Sequence, residues 1–285
     1  MSKFEKAVAA CGAVGAGLAS WLKVMLRSGR PSPAVRRGEG AELTVLGNGP
    51  SLNRTIEENG SFLMGRDRLA VNFAANAPQF AQLRPQFYVL ADPHFFTAGK
   101  DANVDRLWDN LRAADWGMTL YVPAARYRQA AAAVGTRLTV KKFNLTPGEG
   151  TPALVRPLYD KGLAMPRPRN VLIPSLMIAM REGYRRIYIA GADHTWTRTL
   201  GVDDRNRVVS VQPHFYKDDK KEQTRVNTEY AGYRLHDILY SMYVAFRSYH
   251  TIAAYASRRG VSILNITPDS MIDAFPRLRP DRGFA

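Results

Sequence analysis

Residues 42–52, ELTVLGNGPSL, pass directly from an apolar run into glycine, asparagine, glycine, proline and serine. Val45 and Leu46 suit a buried strand, Gly47 and Gly49 permit backbone geometry closed to residues with a β-carbon, and Pro50 with Ser51 opens a helix. The segment predicts a strand, a tight polar loop and a helix. Such a loop either turns the chain with no ligand or approaches a phosphate or ribose. In the second case its N–H groups lie near the positive end of a helix dipole, and Asn48 and Ser51 add neutral hydrogen-bonding groups. Glycine-rich loops are common, so the choice depends on what the rest of the chain places beside this one.

Further apolar runs at 68–73, 86–90, 118–122, 137–143, 185–190 and 261–266 read as strands, with helical stretches such as 104–114 and 175–182 between them. That alternation predicts an α/β fold with a mostly parallel sheet covered on both faces, whose ligands collect beyond the carboxyl ends of the strands. Polar residues stand at those ends: Asn48, Asn72, Asp92, and Asp193 with His194. Each alone reads as a loop cap. Together they predict a crevice in which Asn72 and Asp92 reach a base or sugar hydroxyl and Asp193 bonds a ribose or orients His194.

Lys plus Arg number 40 against 25 Asp plus Glu, a formal charge of +15, which points to an anionic partner: nucleotide, nucleic acid or acidic membrane surface. The single cysteine, Cys11, excludes an intrachain disulfide and argues against a cysteine-based zinc site, leaving Cys11 as a small apolar filler. Residues 7–22 carry no charge and are followed by Lys23, Arg27, Arg30, Arg36 and Arg37. A spanning helix needs roughly 20 apolar residues, and Gly12, Gly15 and Gly17 weaken this run. Three readings stay open: a monotopic anchor on an anionic cytoplasmic leaflet, with Phe4, Val8, Val14, Leu18, Trp21 and Leu22 as its apolar face; a short spanning anchor; or a helix packed on the body or a partner. The interfacial reading fits best. It predicts an anchor over 1–30, a linker over 31–41 and a catalytic domain over 42–285 at the cytoplasmic face of the inner membrane. Basic residues are scattered and the aromatics follow helix spacing, which makes no stacking groove for nucleic acid. A homo-oligomer is compatible with this pattern.

From 195 to 228 the chain is polar and densely charged, which reads as a functional lid or a disordered insertion, and His214-Phe215-Tyr216 as a hydrophobic knot favours the lid. Within it, Asp203 and Asp204 read as a solvated acidic turn rather than a metal site. The following stretch, 229–259, carries an apolar and aromatic stripe at helical spacing that reads as packing, with an acceptor platform of tyrosines as the rival.

With these residues laid out, the chain resembles the small bacterial sialyltransferases of glycosyltransferase family forty-two and the related motility-associated, hydroxymethylpterin-pyrophosphokinase-like proteins. Three patches carry the resemblance: 46–52 (LGNGPSL), 175–193 (ending YIAGAD), and 263–275 (ILNITPDSMIDAF). The resemblance implies a Rossmann-like fold of the GT-A variant type and metal-independent, inverting transfer from a CMP-activated sugar, with no cofactor. Carried over residue by residue, Gly47, Asn48, Gly49 and Ser51 lie at the nucleotide and phosphate. Asn72 matches the family's second-strand asparagine, Asp92 replaces another asparagine, and Asp193 meets the nucleotide. Ser175 stands for the family's threonine-serine-glycine signature, and Pro268 and Ser270 close around the cytosine. His214 matches the histidine base, with His194 as its rival, and Tyr216 or a nearby cation stabilises the departing phosphate. After Asp193 the family has phosphate-holding tyrosines where this chain has His194, Thr195 and Trp196.

The expected function is a membrane-associated glycosyltransferase using sialic acid, Kdo or a similar CMP-sugar to modify a surface glycan or its lipid-linked precursor. The alternatives are an ATP- and Mg²⁺-dependent pyrophosphokinase-like transferase, and a non-catalytic basic scaffold binding anionic lipid.

Overall fold

The computed structural model describes residues 2–38, 40–97, 99–209 and 232–280. His214 and Tyr216 lie outside them. Nine helices are described: α1 (Lys3–Arg27), α2 (Ser51–Met64), α3 (Phe80–Leu83), α4 (Ala102–Ala113), α5 (Tyr127–Val134), α6 (Pro152–Asp160), α7 (Leu172–Arg181), α8 (Trp196–Thr199) and α9 (Leu235–Arg258). The strands are β1 (Glu42–Leu46), β2 (Asp67–Val71), β3 (Phe87–Val89), β4 (Thr119–Pro123), β5 (Thr139–Phe143), β6 (Arg186–Ala190), β7 (Gly201–Val202), β8 (Val208–Val209) and β9 (Ser262–Asn265).

Seven strands form one sheet in the order β5-β4-β3-β2-β1-β6-β9, and every pairing in it is parallel. Alternation along each strand sends side chains to two separate cores. Leu43, Val45, Leu69, Val71, Ile187 and Ile189 pack with α6, α7 and α9. Leu46, Ala70, Tyr88, Leu120, Tyr188 and Ala190 pack with α2, α4 and α5 on the other face. The chain builds outward from β1 to β5 and then returns to lay β6 against the free side of β1. This places a topological switch point between β1 and β6, where an α/β sheet of this kind opens a crevice at its carboxyl edge. The Rossmann-like expectation holds.

The amino-terminal helix is docked on the body. Gly17, Ser20 and Val24, at helical spacing, are buried against α6 and the turn before it. The Ser20 Oγ donates to the Glu149 carbonyl (2.8 Å) and the Trp21 Nε1 to the Leu154 carbonyl (2.9 Å). Gly17 lets α1 pack closely here, because a β-carbon there would lie 2.5 Å from Leu154 Cδ1 and displace that side chain. The opposite face exposes Val14, Leu18, Leu22, Met25 and Leu26. Cys11 is exposed on α1 and fills no core, contrary to the sequence expectation.

The stretch expected as a linker is strapped to the body. Ser32 N–H donates to the Lys142 carbonyl (3.1 Å), Val35 N–H to the Arg181 carbonyl (2.9 Å), and the Arg37 Nε to the Glu182 carbonyl (2.9 Å). Gly183, at φ +87°, turns beneath this strap where a β-carbon would strike the Val35 carbonyl. Within the expected lid, residues 195–209 form α8 and the antiparallel β7–β8 hairpin. Asp203 caps the hairpin turn and pairs with Arg207 (2.8 Å), a structural use of that acidic pair.

Replacing Gly17 by valine forces α1 off α6. The expected cost is about 1–3 kcal/mol from overpacking, read as a lower urea midpoint together with faster proteolysis within α1. An unchanged midpoint would show that the α1 contact contributes nothing to stability.

Candidate functional site

A cavity of about 430 Å³ opens at the carboxyl edge of the sheet. The loops after β1, β2, β3 and β6 and the segment before α7 converge on it, bringing together Gly47, Asn48, Gly49, Asn72, Asp92, Asp193 and His194 of the sequence-predicted set. Ser51, Ser175, Pro268 and Ser270 are not among its lining residues.

The β1 loop is built differently from the expectation. Neither Gly47 nor Gly49 has positive φ, so backbone freedom is not the reason for glycine. Space is. A β-carbon on Gly47 would lie 2.4 Å from the Gly191 carbonyl oxygen, and one on Gly49 would lie 1.9 Å from Asp193 Oδ2. The β1 and β6 loops touch backbone to backbone, and the N–H groups of Gly47 and Gly49 donate to the carbonyls of Ala190 and Gly191 at 2.8 Å each. Those N–H groups are therefore spent and do not form the predicted phosphate cradle. At the amino terminus of α2 the anion is the protein's own: Asp193 accepts from Ser51 N–H (3.3 Å) and from Ser51 Oγ (2.7 Å). Burial raises the Asp193 pKa, and the two Ser51 bonds oppose that rise.

Ser175 is fully buried in α7, where its hydroxyl bonds back to the Val171 carbonyl (2.7 Å), so its role is internal to the helix. Ser270 is also buried. Its Oγ donates to the Ala192 carbonyl (2.7 Å) while Met271 N–H donates to the Asp193 carbonyl (2.9 Å), so the β9 loop buttresses the β6 turn from outside the cavity. Pro268 sits half-buried in that buttress. One oxygen of Asp92 caps the following turn through His94 N–H (2.8 Å). Asn72 holds φ +51° and His194 φ +53°, left-handed positions that asparagine and histidine tolerate better than most side chains.

His194 turns inward. Its ring lies 4.1 Å from Trp196 and 5.4 Å from Tyr249, centroid to centroid, and its Nε2 is 2.6 Å from the Tyr249 hydroxyl. Tyr249 gives its own proton to Asn170 Oδ1 (2.9 Å), so His194 Nε2 carries the hydrogen and Nδ1 the lone pair. Burial pushes the His194 pKa down to about 3. The ring is thus neutral and a weak base, better suited to a fixed acceptor than to proton removal. Burial also raises the Tyr249 pKa, keeping that hydroxyl protonated.

Three residues of this site, Arg169, Asn170 and Tyr249, escape a sequence reading. Asn170 accepts from both Tyr249 and Leu172 N–H (3.1 Å) through Oδ1, which leaves its buried Nδ2 without a partner beside the cavity. Asn48 is its converse: Nδ2 donates to the Val71 carbonyl (3.2 Å) and the buried Oδ1 is unpartnered. Arg169 lines the same cavity and forms no ion pair with a described residue. The only local hint was PRPRN at 166–170, a helix-entry pattern ending in asparagine. Tyr249 was indistinguishable from its neighbours in an aromatic helix stripe.

No protein-family model matches the chain, and no curated protein sequence does. Among solved structures, the MAf glycosyltransferase from Magnetospirillum magneticum AMB-1 is similar, at 13% identity and a TM-score of 0.49, over 91% of this chain and 38% of that one. The chain therefore spans well under half of that protein's length. Strand order and direction, not this likeness, establish the Rossmann-like fold.

Because His194 is held below its ordinary pKa of 6.5, the unfolded chain binds a proton between about pH 3 and 6.5 that the native site refuses. Its contribution to stability is present above the unfolded pKa and is lost as pH falls, by up to about 1.4 kcal/mol per pH unit. Denaturant titrations across that window should show a shallower slope for His194→Gln than for the parent. Equal slopes would remove His194 as the source.

Proposed function

We propose that the chain is a glycosyltransferase that draws its sugar from a CMP-activated donor bound in the switch-point cavity. The observation that carries this reading is the pair of buried, unpartnered amide atoms, Asn48 Oδ1 and Asn170 Nδ2, on two residues that line a cavity also lined by Arg169. An unsatisfied buried acceptor and donor each cost roughly 1–3 kcal/mol and are retained where a ligand completes them. A nucleotide offers both amino or hydroxyl donors and carbonyl or phosphoryl acceptors. The choice of cytidine rests on the resemblance of the three sequence patches.

In this reading Arg169 and Asn170 take the phosphate-holding role for which the sequence offered His194, Thr195 and Trp196 in place of tyrosines. The bond between the anomeric carbon and the CMP phosphate oxygen breaks, and the acceptor hydroxyl oxygen forms the new bond on the opposite face. The hydroxyl proton passes to a base, for which His214 is the candidate, and CMP departs as a phosphate monoester beside the Arg169 guanidinium. The weak basicity of buried His194 favours His214 over it. Tyr216 is a second candidate for stabilising the leaving phosphate.

The docked helix supports a membrane setting for the reaction. The stretch Val8–Arg27 is long and apolar enough to cross a membrane by length and composition. Yet its inner face is committed to α6, so the outer ridge of Val14, Leu18, Leu22, Met25 and Leu26 suits contact with a bilayer surface. A lipid-linked or surface glycan acceptor would be presented there, with ulosonic or nonulosonic acids as the donor sugars. Leu18→Gln, Leu22→Gln and Leu26→Gln together should move the protein from the membrane pellet to the supernatant. Partitioning that does not change rejects the outer ridge as the contact.

Thermal midpoints measured with CMP, CDP, UDP, GDP and ATP, each with and without Mg²⁺, test the donor. CMP is expected to stabilise the protein selectively and without metal, and Asn48→Ala or Asn170→Ala should weaken CMP binding about tenfold. Preference for ATP with Mg²⁺ would instead favour phosphoryl transfer.

A further inference from the structure

A second cavity, of about 490 Å³, lies at the opposite end of the sheet, where β6 begins. It is lined by Arg36 and Arg37 of the strap, Arg181 and Arg185 flanking the turn between α7 and β6, and Arg259 at the end of α9. No carboxylate among the described residues lines it. Two of the five guanidinium groups are committed: Arg37 to Asp67 (3.8 Å) and Glu182 (3.6 Å), and Arg259 to Asp160 (3.5 Å). Among the described residues Arg181 bonds only backbone oxygens, of Ser32 (2.9 Å) and Asp160 (3.3 Å), and Arg185 bonds the Arg259 carbonyl (2.6 Å). Arg36 is exposed, and neither it nor Arg185 pairs with a carboxylate among the described residues. Burial lowers the Arg181 pKa and the neighbouring Arg259 charge adds to the fall, while Tyr121, Tyr255 and Glu182 oppose it.

The fold holds these like charges together by force of backbone geometry. The strap is fixed by Val35 N–H on the Arg181 carbonyl and by the close approach of Gly183 to Val35 and Arg37. The backbone of Arg36 is therefore held at the cavity, and its exposed side chain starts from there. A concentration of guanidinium forks with unused donors and no lining carboxylate is the arrangement that bidentate phosphate recognition requires.

We propose that this cavity binds a phosphate-bearing anion, held by Arg36 and Arg185 with Arg181 at its back. β6 separates it from the switch-point cavity by roughly 16 Å of extended chain, so it is a distinct site and does not depend on the donor reading. Its volume admits more than a single small ion. Two sources carry this chemistry, a soluble diphosphate or the headgroup of an anionic lipid.

The full chain distinguishes them. Calorimetry with inorganic diphosphate measures the soluble arm, and co-sedimentation with phosphatidylcholine vesicles, with or without phosphatidylglycerol, measures the lipid arm. The cavity variant is Arg36→Ala/Arg185→Ala. A control, Arg128→Ala/Arg137→Ala, removes the same charge outside the cavity. Diphosphate binding about tenfold or more weaker in the cavity variant, with the control within about twofold of the parent, supports a soluble ligand. A selective loss of phosphatidylglycerol-dependent sedimentation in the cavity variant supports the lipid headgroup. If the cavity variant and the control behave alike in both arms, net charge explains the binding and the site is wrong. Both pairs are exposed side chains, and matching circular dichroism and thermal midpoints establish that each variant is folded. CMP binding in the switch-point cavity is measured in parallel and should be unchanged, which separates failure of this site from failure of the donor reading.

Discussion

The switch point depends on one contact, the Asp193 carboxylate seated on the first turn of α2. Gly47, Gly49 and Gly191 bring the β1 and β6 loops within backbone reach of each other, and that closeness delivers Asp193 to the Ser51 N–H and hydroxyl. A helix amino terminus attracts a negative group. Here the chain supplies that group itself, and the loop N–H donors are consumed in joining the two strands. The donors left over at this edge belong to Arg169 and Asn170, from the segment before α7, and not to the glycine loop.

The same contact sets the position of His194. Once Asp193 is fixed, the chain reverses through a left-handed residue and drops the imidazole between Trp196 and Tyr249. The hydrogen bonds run on from His194 through Tyr249 to Asn170, linking the β6 loop, α9 and the entrance of α7 in one buried chain. Each donor in that sequence has one acceptor, so the direction of the hydrogens is determined and the buried Asn170 Nδ2 is left over without a partner. The β9 loop closes the arrangement from behind through Ser270 and Met271. Ser270 and Met271 thus hold the Asp193 turn in place.

The sheet was legible in the sequence because buried parallel strands leave apolar runs bounded by polar loop residues, and Asn48, Asn72, Asp92 and Asp193 marked the correct edge of it. What those residues bond was not legible. Gly47 looks the same in sequence whether it serves φ or proximity, and only Gly191 across the gap decides between them. Ser175 and Ser270 were chosen by resemblance, yet both are buried and bonded to main-chain carbonyls. Asn170 and Tyr249 contribute through partners 79 residues apart, a relation that periodicity within a window does not register.

The amino-terminal helix shows why its sequence supported competing readings. Gly17, Ser20 and Val24 form one stripe and Leu18, Leu22 and Met25 another, and both repeat at helical spacing on the same 25-residue helix. The small stripe permits close packing on α6, with Ser20 and Trp21 bonding outward to the body's carbonyls. The large stripe is left to the outside. A helix so docked has no polar outer face to satisfy water, and its apolar ridge belongs to a rigid body rather than to a tethered anchor. Attachment through that ridge would orient the whole sheet at a surface, because the strap from Ser32 to Arg37 allows little independent movement between helix and body.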